Sequence, residues 1–259
     1  DLLQSEIFAN LAYIIASMLF IFGLKQLGSP ETAQRGNLIS SSGMLLAVLV
    51  TLISNQIISY EWLVIGLVLG ILVGASAASF VKMTSMPELV ALFNGFGGIA
   101  SLLVGSAEYL GTGSLGLISL TAIFLTLIIG GITFSGSLVA YGKLSEILPG
   151  KQITFKGQRI VLVAIFIAAL LFGAQLIFNF QMVEGWNPLF SFVLLISFSL
   201  VIGLLITLPI GGADMPVIIA LLNSYSGLAA SAAGFVINNN VLIVAGALVG
   251  ASGLILTNI

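Results

Sequence analysis

The chain has 259 residues, 59% of them hydrophobic and only 6% charged, with mean hydropathy +1.24 and a formal net charge of −2. Water-soluble domains carry roughly 25% charged residues, so this chain must take the bilayer as its solvent, and its slight negative charge argues against a nucleic-acid partner. It contains no Cys and no His, which excludes disulfides, thiolate metal sites and His-based metal or nucleophilic chemistry within the chain.

Apolar runs long enough to cross ~30 Å of hydrocarbon fall at about Ile7–Leu24, Leu38–Ile58, Glu61–Phe80, Met86–Gly105, Leu115–Ala140, Ile160–Phe180, Pro188–Leu208, Met215–Val236 and Val241–Ile259. In lipid each must be a helix, because an open strand would leave backbone groups unpaired. The predicted fold is an all-α polytopic bundle of about nine transmembrane helices, a single transmembrane domain over 1–259. Leu11–Phe22 sits inside a long apolar stretch and lacks a basic leader, so it reads as a span and not a signal peptide. The chain starts at Asp1 and ends at Ile259 within an apolar run; both ends read as cut or processed.

The first connection carries Lys25 and Arg35, the third Lys82, and the fifth Lys143, Lys151, Lys156 and Arg159. All 7 basic residues therefore occupy alternate connections. The positive-inside rule places these in the cytoplasm, with the N-terminus outside and the C-terminus inside. Glu61, Glu88, Glu108, Glu184 and Asp214 lie at span ends or in loops, so no span carries the central charge that marks an ion path by default. In the third span Gly66, Gly70, Gly74 and Ala78 form a small-residue ridge, echoed by Gly246 and Gly250 in the last. Such ridges let helix backbones approach closely, and plain packing is their simplest use.

The fourth and eighth spans resemble each other at an offset of 129 residues. Met86-Pro87-Glu88-Leu89-Val90-Ala91-Leu92-Phe93-Asn94-Gly95-Phe96-Gly97-Gly98 runs beside Met215-Pro216-Val217-Ile218-Ile219-Ala220-Leu221-Leu222-Asn223-Ser224-Tyr225-Ser226-Gly227, and Gly105 beside Gly234. Ser85 and Asp214 each stand where an N-cap would, with Pro in the first turn. Each Asn then lies roughly 13–14 Å beyond its cap, near the midplane. Four spans separate the copies, so the repeat, around 60–140 and 188–259, is parallel. Transport proteins often place a working site between such repeats. The structural alternatives are a capping box for Ser85 and Glu88, a simple cap for Asp214, and interhelical hydrogen bonding for the two Asn.

Gly111-Thr112-Gly113-Ser114-Leu115-Gly116 fits a dinucleotide fingerprint but lacks the preceding strand that such a site needs, so it reads as a loop. Asn238-Asn239-Asn240 reads as a polar turn between the last two spans.

Three stretches of the last third, Gly211-Gly212-Ala213-Asp214-Met215-Pro216, Leu222-Asn223-Ser224-Tyr225-Ser226-Gly227 and Val244-Ala245-Gly246-Ala247-Leu248-Val249-Gly250-Ala251-Ser252-Gly253, resemble the membrane part of the beta subunit of proton-translocating NAD(P) transhydrogenase. Met86 to Ala91 and Phe134-Ser135-Gly136-Ser137-Leu138-Val139-Ala140-Tyr141-Gly142-Lys143-Leu144 do so too, and the resemblance runs through nearly the whole chain. It implies a proton-conducting membrane domain in the inner membrane of a prokaryote. That domain is part of an oxidoreductase that couples hydride transfer between NAD(H) and NADP(H) to proton translocation. The resemblance further implies that both nucleotides bind in soluble domains of the complex and none in this chain. An NADP(H)-binding domain is expected after residue 259, with alpha-type partner subunits and a dimer of the whole complex.

Many members of that family carry a proton-conducting His at the position matched by Asn94, and Asn cannot titrate. The resemblance therefore implies a His on a membrane helix of the alpha-type partner. Asn94, Asn223, Ser137 and Ser226 would order a short water file facing it. Asp214 would pass protons where the nucleotide domain docks, and Lys143 and Arg159 would contact that domain. Two other readings stand beside this one: a self-contained secondary transporter or channel with its site between the repeats, and a scaffold without conduction.

Overall fold

A computed structural model describes residues 6–54, 60–111, 115–178 and 187–257. Among these every regular element is helical. The α-helices are α1 (Glu6–Leu27), α2 (Ala33–Ser54), α3 (Tyr60–Phe80), α4 (Met86–Gly111), α5 (Leu117–Leu144), α6 (Gln158–Phe178), α7 (Pro188–Thr207), α8 (Met215–Val236) and α9 (Asn240–Thr257). Eight of them are long and apolar enough to cross a membrane, and α9 is a shorter apolar helix.

Some boundaries differ from the sequence reading. Gly105 reads as an end, yet α4 continues to Gly111. Gly105 is instead a contact glycine, buried against Thr126 of α5. α2 begins at Ala33, so Arg35 lies in its first turn and not in the connection. The expected ends at Ile58, Phe180 and Ile259 lie outside the described residues, as do Glu184 and part of the Gly111–Gly116 motif.

The chain divides into two compact units, Asp1–Val81 and Lys82–Ile259. In the first, α1 and α2 form a hairpin. Ala9, Ala12 and Val50 are its buried centre, and the Tyr13 hydroxyl lies 2.9 Å from that of Thr51. No residue of α3 is buried.

In the second unit α5 is the axis and packs against α4, α6, α7 and α8. Ile123 and Leu127 of α5 and Leu195 and Ile202 of α7 are fully buried. Tyr109 of α4 stacks on Phe192 of α7 with ring centroids 4.7 Å apart. Large apolar side chains such as Phe96, Leu103, Ile160 and Phe166 face outward. That pattern suits lipid, where hydrocarbon is as apolar as leucine and helix contacts depend on close backbone approach and internal hydrogen bonds.

Two glycines of the repeat serve this approach. A Cβ built on Gly98 would stand 2.9 Å from the Gly130 carbonyl oxygen of α5. A Cβ on Gly227, its counterpart 129 residues on, would stand 2.8 Å from the Gly246 carbonyl oxygen of α9. The polar turn expected between α8 and α9 is present. Asn238 takes φ +52, which Asn tolerates, and Asn239 Oδ1 accepts from the Leu242 amide at 3.0 Å.

Candidate functional site

Both Met-Pro sites are entered in the same way. A three-residue 3-10 turn, Met83–Ser85 in one case and Gly212–Asp214 in the other, leads directly into α4 and α8. The extended residues that begin these turns are Lys82 (φ −70, ψ 150) and Gly211 (φ −72, ψ 154). The sequence reading made Ser85 and Asp214 N-caps. Each is the last residue of its turn; Asp214 does stand at the N-cap position of α8, but its exposed side chain makes no capping hydrogen bond.

The turn before α8 is held from outside. The Gly212 amide donates to the Gly150 carbonyl at 2.7 Å, and the Ile153 amide to that of Leu208 at 3.1 Å. Lys143, in the last turn of α5, is only 3% exposed. Its ammonium donates to the Leu208 carbonyl at 2.6 Å, to that of Ile210, and to that of Lys151 at 3.4 Å. An ammonium beside the last carbonyls of α7 satisfies groups that a helix end leaves orphaned and complements the helix dipole. Sequence reasoning assigned Lys143 to a docking surface, but the side chain is turned inward and serves as a clamp. Arg159, assigned with it, is exposed in the first turn of α6.

A polar seam lies where α4, α5 and α8 meet. Asn94 is 7% exposed, and its Nδ2 donates to the Ser137 hydroxyl at 2.9 Å. Its Oδ1 is buried with no hydrogen-bond partner among the described residues. One turn from Ser137 on α5, the fully buried Thr133 hydroxyl is likewise unpartnered, as is that of Thr207 on α7. A buried polar group without a partner costs about 1–3 kcal/mol, so each such group calls for a reason. Ser226 of α8 is half-buried against α4, with its Oγ 2.8 Å from where a Cβ on Gly97 would stand. Thr133 and Thr207 were missed from sequence. The i, i+4 spacing of Thr133 and Ser137 on one helix face was the available signal for the first.

Asn223 has a different environment from its counterpart Asn94: it is exposed on α8. The face of α8 toward α9 uses its neighbours instead, with the Ser224 hydroxyl donating to the Gly250 carbonyl and that of Ser231 to the Ile243 carbonyl at 3.1 Å. Gly246 and Gly250 lie against α8, whereas a Cβ on Gly66, Gly70 or Gly74 of α3 would meet nothing within 4 Å among the described residues. Among the described residues no group of His, Cys, Asp and Glu has metal-site geometry.

The sequence pattern of the NAD(P) transhydrogenase beta subunit family matches residues 9–259. A curated NAD(P) transhydrogenase subunit beta from Rhodospirillum rubrum is 43% identical over 256 residues, covering 96% of this chain and 54% of the relative. A second such protein, from a strain of the same species, gives the same figures. The chain thus spans about half the length of the curated relatives it matches. With this match running the length of α1 to α9, the chain belongs to the NAD(P) transhydrogenase beta subunit family.

Proposed function

We propose that this chain is the proton-conducting membrane domain of a NAD(P) transhydrogenase in the inner membrane of a prokaryote. In this reading it couples hydride transfer between NAD(H) and NADP(H), carried out in soluble domains, to proton translocation. The observation that carries the reading is the Asn94–Ser137 hydrogen bond with an unpartnered Asn94 oxygen beside it, buried in a membrane-spanning helix contact. Asn and Ser each offer donor and acceptor groups. Neither titrates near neutral pH, so they suit the ordering of water more than the carrying of charge. Unpartnered oxygens at Asn94 and Thr133 are acceptors to which such water would bond.

A titrating group must then come from elsewhere, and Asn223 supports a partner. It stands eight residues into α8, about 12 Å along the helix. An exposed amide facing hydrocarbon at that depth is costly. A membrane helix of an alpha-type subunit that covers it, and that carries a His, would relieve the cost and supply the missing proton carrier. Asp214, exposed at the entrance to α8, is suited to exchange protons where an NADP(H)-binding domain docks. Pairing of two such complexes belongs to the same proposal.

The test uses the full complex in sealed vesicles, with NADPH reducing an NAD analogue and a dye reporting pH. Wild type is expected to move protons in step with hydride transfer. Asn223→Ala is expected to lower that coupling about tenfold, the equivalent of roughly 1.4 kcal/mol, while the subunits still assemble. Wild-type hydride transfer without proton movement would refute the pump reading and favour a transporter with its own substrate.

A further inference from the structure

At the end of the bundle that carries the basic residues, α6 begins in an unusual setting. Gly157 takes φ +85, and Gln158 follows as a buried side chain. Gln158 Nε2 donates to the Leu205 carbonyl at 2.9 Å, and its Oε1 accepts from the Phe155 amide at 3.4 Å. The start of α6 is thereby tied to α7 and the loop before it. Beside this tie opens a groove of about 610 Å³, bordered by Thr154, Phe155, Arg159 and Pro209.

A second, almost wholly apolar groove of about 440 Å³ lies deeper, between Ile129, Ile132, Phe166 and Leu228. Leu162 and Ile206 line both, so the two grooves adjoin and follow one another as a trough along α6. From Arg159 to Phe166 the trough follows α6 for seven residues, about 10 Å of helix rise. Its mouth holds an exposed guanidinium, with no carboxylate paired to it among the described residues. Lys151 and Lys156 are exposed in the same connection.

We propose that this trough binds one anionic glycerophospholipid, its phosphate at Arg159 and an acyl chain lying in the apolar slot between α5, α6, α7 and α8. A guanidinium fork matches phosphate oxygens in geometry and charge. Basic pockets between transmembrane helices select anionic headgroups in the leaflet where such lipids concentrate. The slot behind the mouth distinguishes a lipid from a free anion, since only an acyl chain would cover the apolar walls below Leu162. Bound there, the lipid would sit against Leu205 and Ile206 of α7, just before the segment that leads into α8.

The test is native mass spectrometry of the full detergent-purified complex, titrated with phosphatidylglycerol, phosphatidylcholine or inorganic phosphate. Wild type is expected to retain one phosphatidylglycerol per chain in preference to phosphatidylcholine. Arg159→Gln is expected to weaken that binding roughly fivefold, as loss of one membrane-proximal cation implies, and Arg159→Lys to keep most of it. Val163→Trp, which narrows the slot and leaves the cation in place, is expected to weaken it as well. Lys156→Gln, outside the trough, serves as the control. The proposal is overturned if both phospholipids bind alike, if Arg159→Gln binds as wild type does, or if inorganic phosphate alone occupies the site with the same Arg159 dependence. None of these results bears on proton coupling, so failure here leaves that reading standing.

Discussion

Replacing Lys143 by methionine is expected to lower the thermal midpoint of the purified protein by about 5–10 °C. The ammonium is buried and donates to the carbonyls of Leu208, Ile210 and Lys151. Methionine keeps the length and apolar stem but strands those oxygens. A hydrogen bond to a charged group contributes about 1.5–3 kcal/mol, and burying the charge offsets part of that. The net loss is therefore about 2–4 kcal/mol, and a chain of this size shifts about 2–4 °C per kcal/mol. Lys156→Met, in the same connection but exposed, is expected to leave the midpoint unchanged. If the two variants behave alike, Lys143 is not a clamp.

Gly227→Leu is expected to separate α8 from α9. A Cβ at Gly227 would stand 2.5 Å from the Gly250 nitrogen and 2.8 Å from the Gly246 oxygen, and a Cβ at Gly246 would stand 2.6 Å from the Gly227 oxygen. Backbone lies on both sides, so no side-chain rotation relieves the clash. Overpacking typically costs about 1–3 kcal/mol where a core can shift; here the whole interface must open, and the Ser224–Gly250 hydrogen bond goes with it. The absence of native cysteine makes the readout clean. A cysteine pair placed across α8 and α9 at positions whose Cβ atoms lie about 3.5–4.5 Å apart, as a disulfide requires, should form a disulfide on oxidation. In the Gly227→Leu background it should form at least about tenfold less, a change equal to roughly 1.4 kcal/mol of lost contact. Undiminished cross-linking would show that the interface does not depend on Gly227. Gly66→Leu on α3 should have no such effect within this chain, although its sequence signature is the same.

That contrast shows where a sequence pattern stops being informative. Gly66-x-x-x-Gly70-x-x-x-Gly74 and Gly246-x-x-x-Gly250 both advertise close approach, yet a Cβ on the first three meets nothing within 4 Å among the described residues, whereas the second pair lies against α8. Small residues permit contact without specifying a partner, and lipid supplies no hydrophobic drive to select one. The repeat behaves similarly. Gly98 and Gly227 keep equivalent roles, each facing the helix that follows in the chain, because consecutive antiparallel helices pack locally. Asn94 and Asn223 do not: Asn94 bonds Ser137 on the helix that follows it, whereas Asn223 is exposed and the face of α8 toward α9 is taken by Ser224 and Ser231.

What the sequence determined by itself is the membrane class, the helical fold and the order of the helices, since hydrocarbon admits no other way to satisfy a backbone over such apolar lengths. The internal repeat also marked Asn94 as a candidate, and the family resemblance added Ser137. Tertiary structure alone decided that Asn94 bonds Ser137, that Thr133 and Thr207 are unpartnered, that Asn223 faces outward and that Lys143 faces in. The physical reason is one of range. Span length and apolarity are local sums along the chain, whereas the partner of a polar side chain depends on helix rotation and neighbour identity, set by packing between residues tens of positions apart.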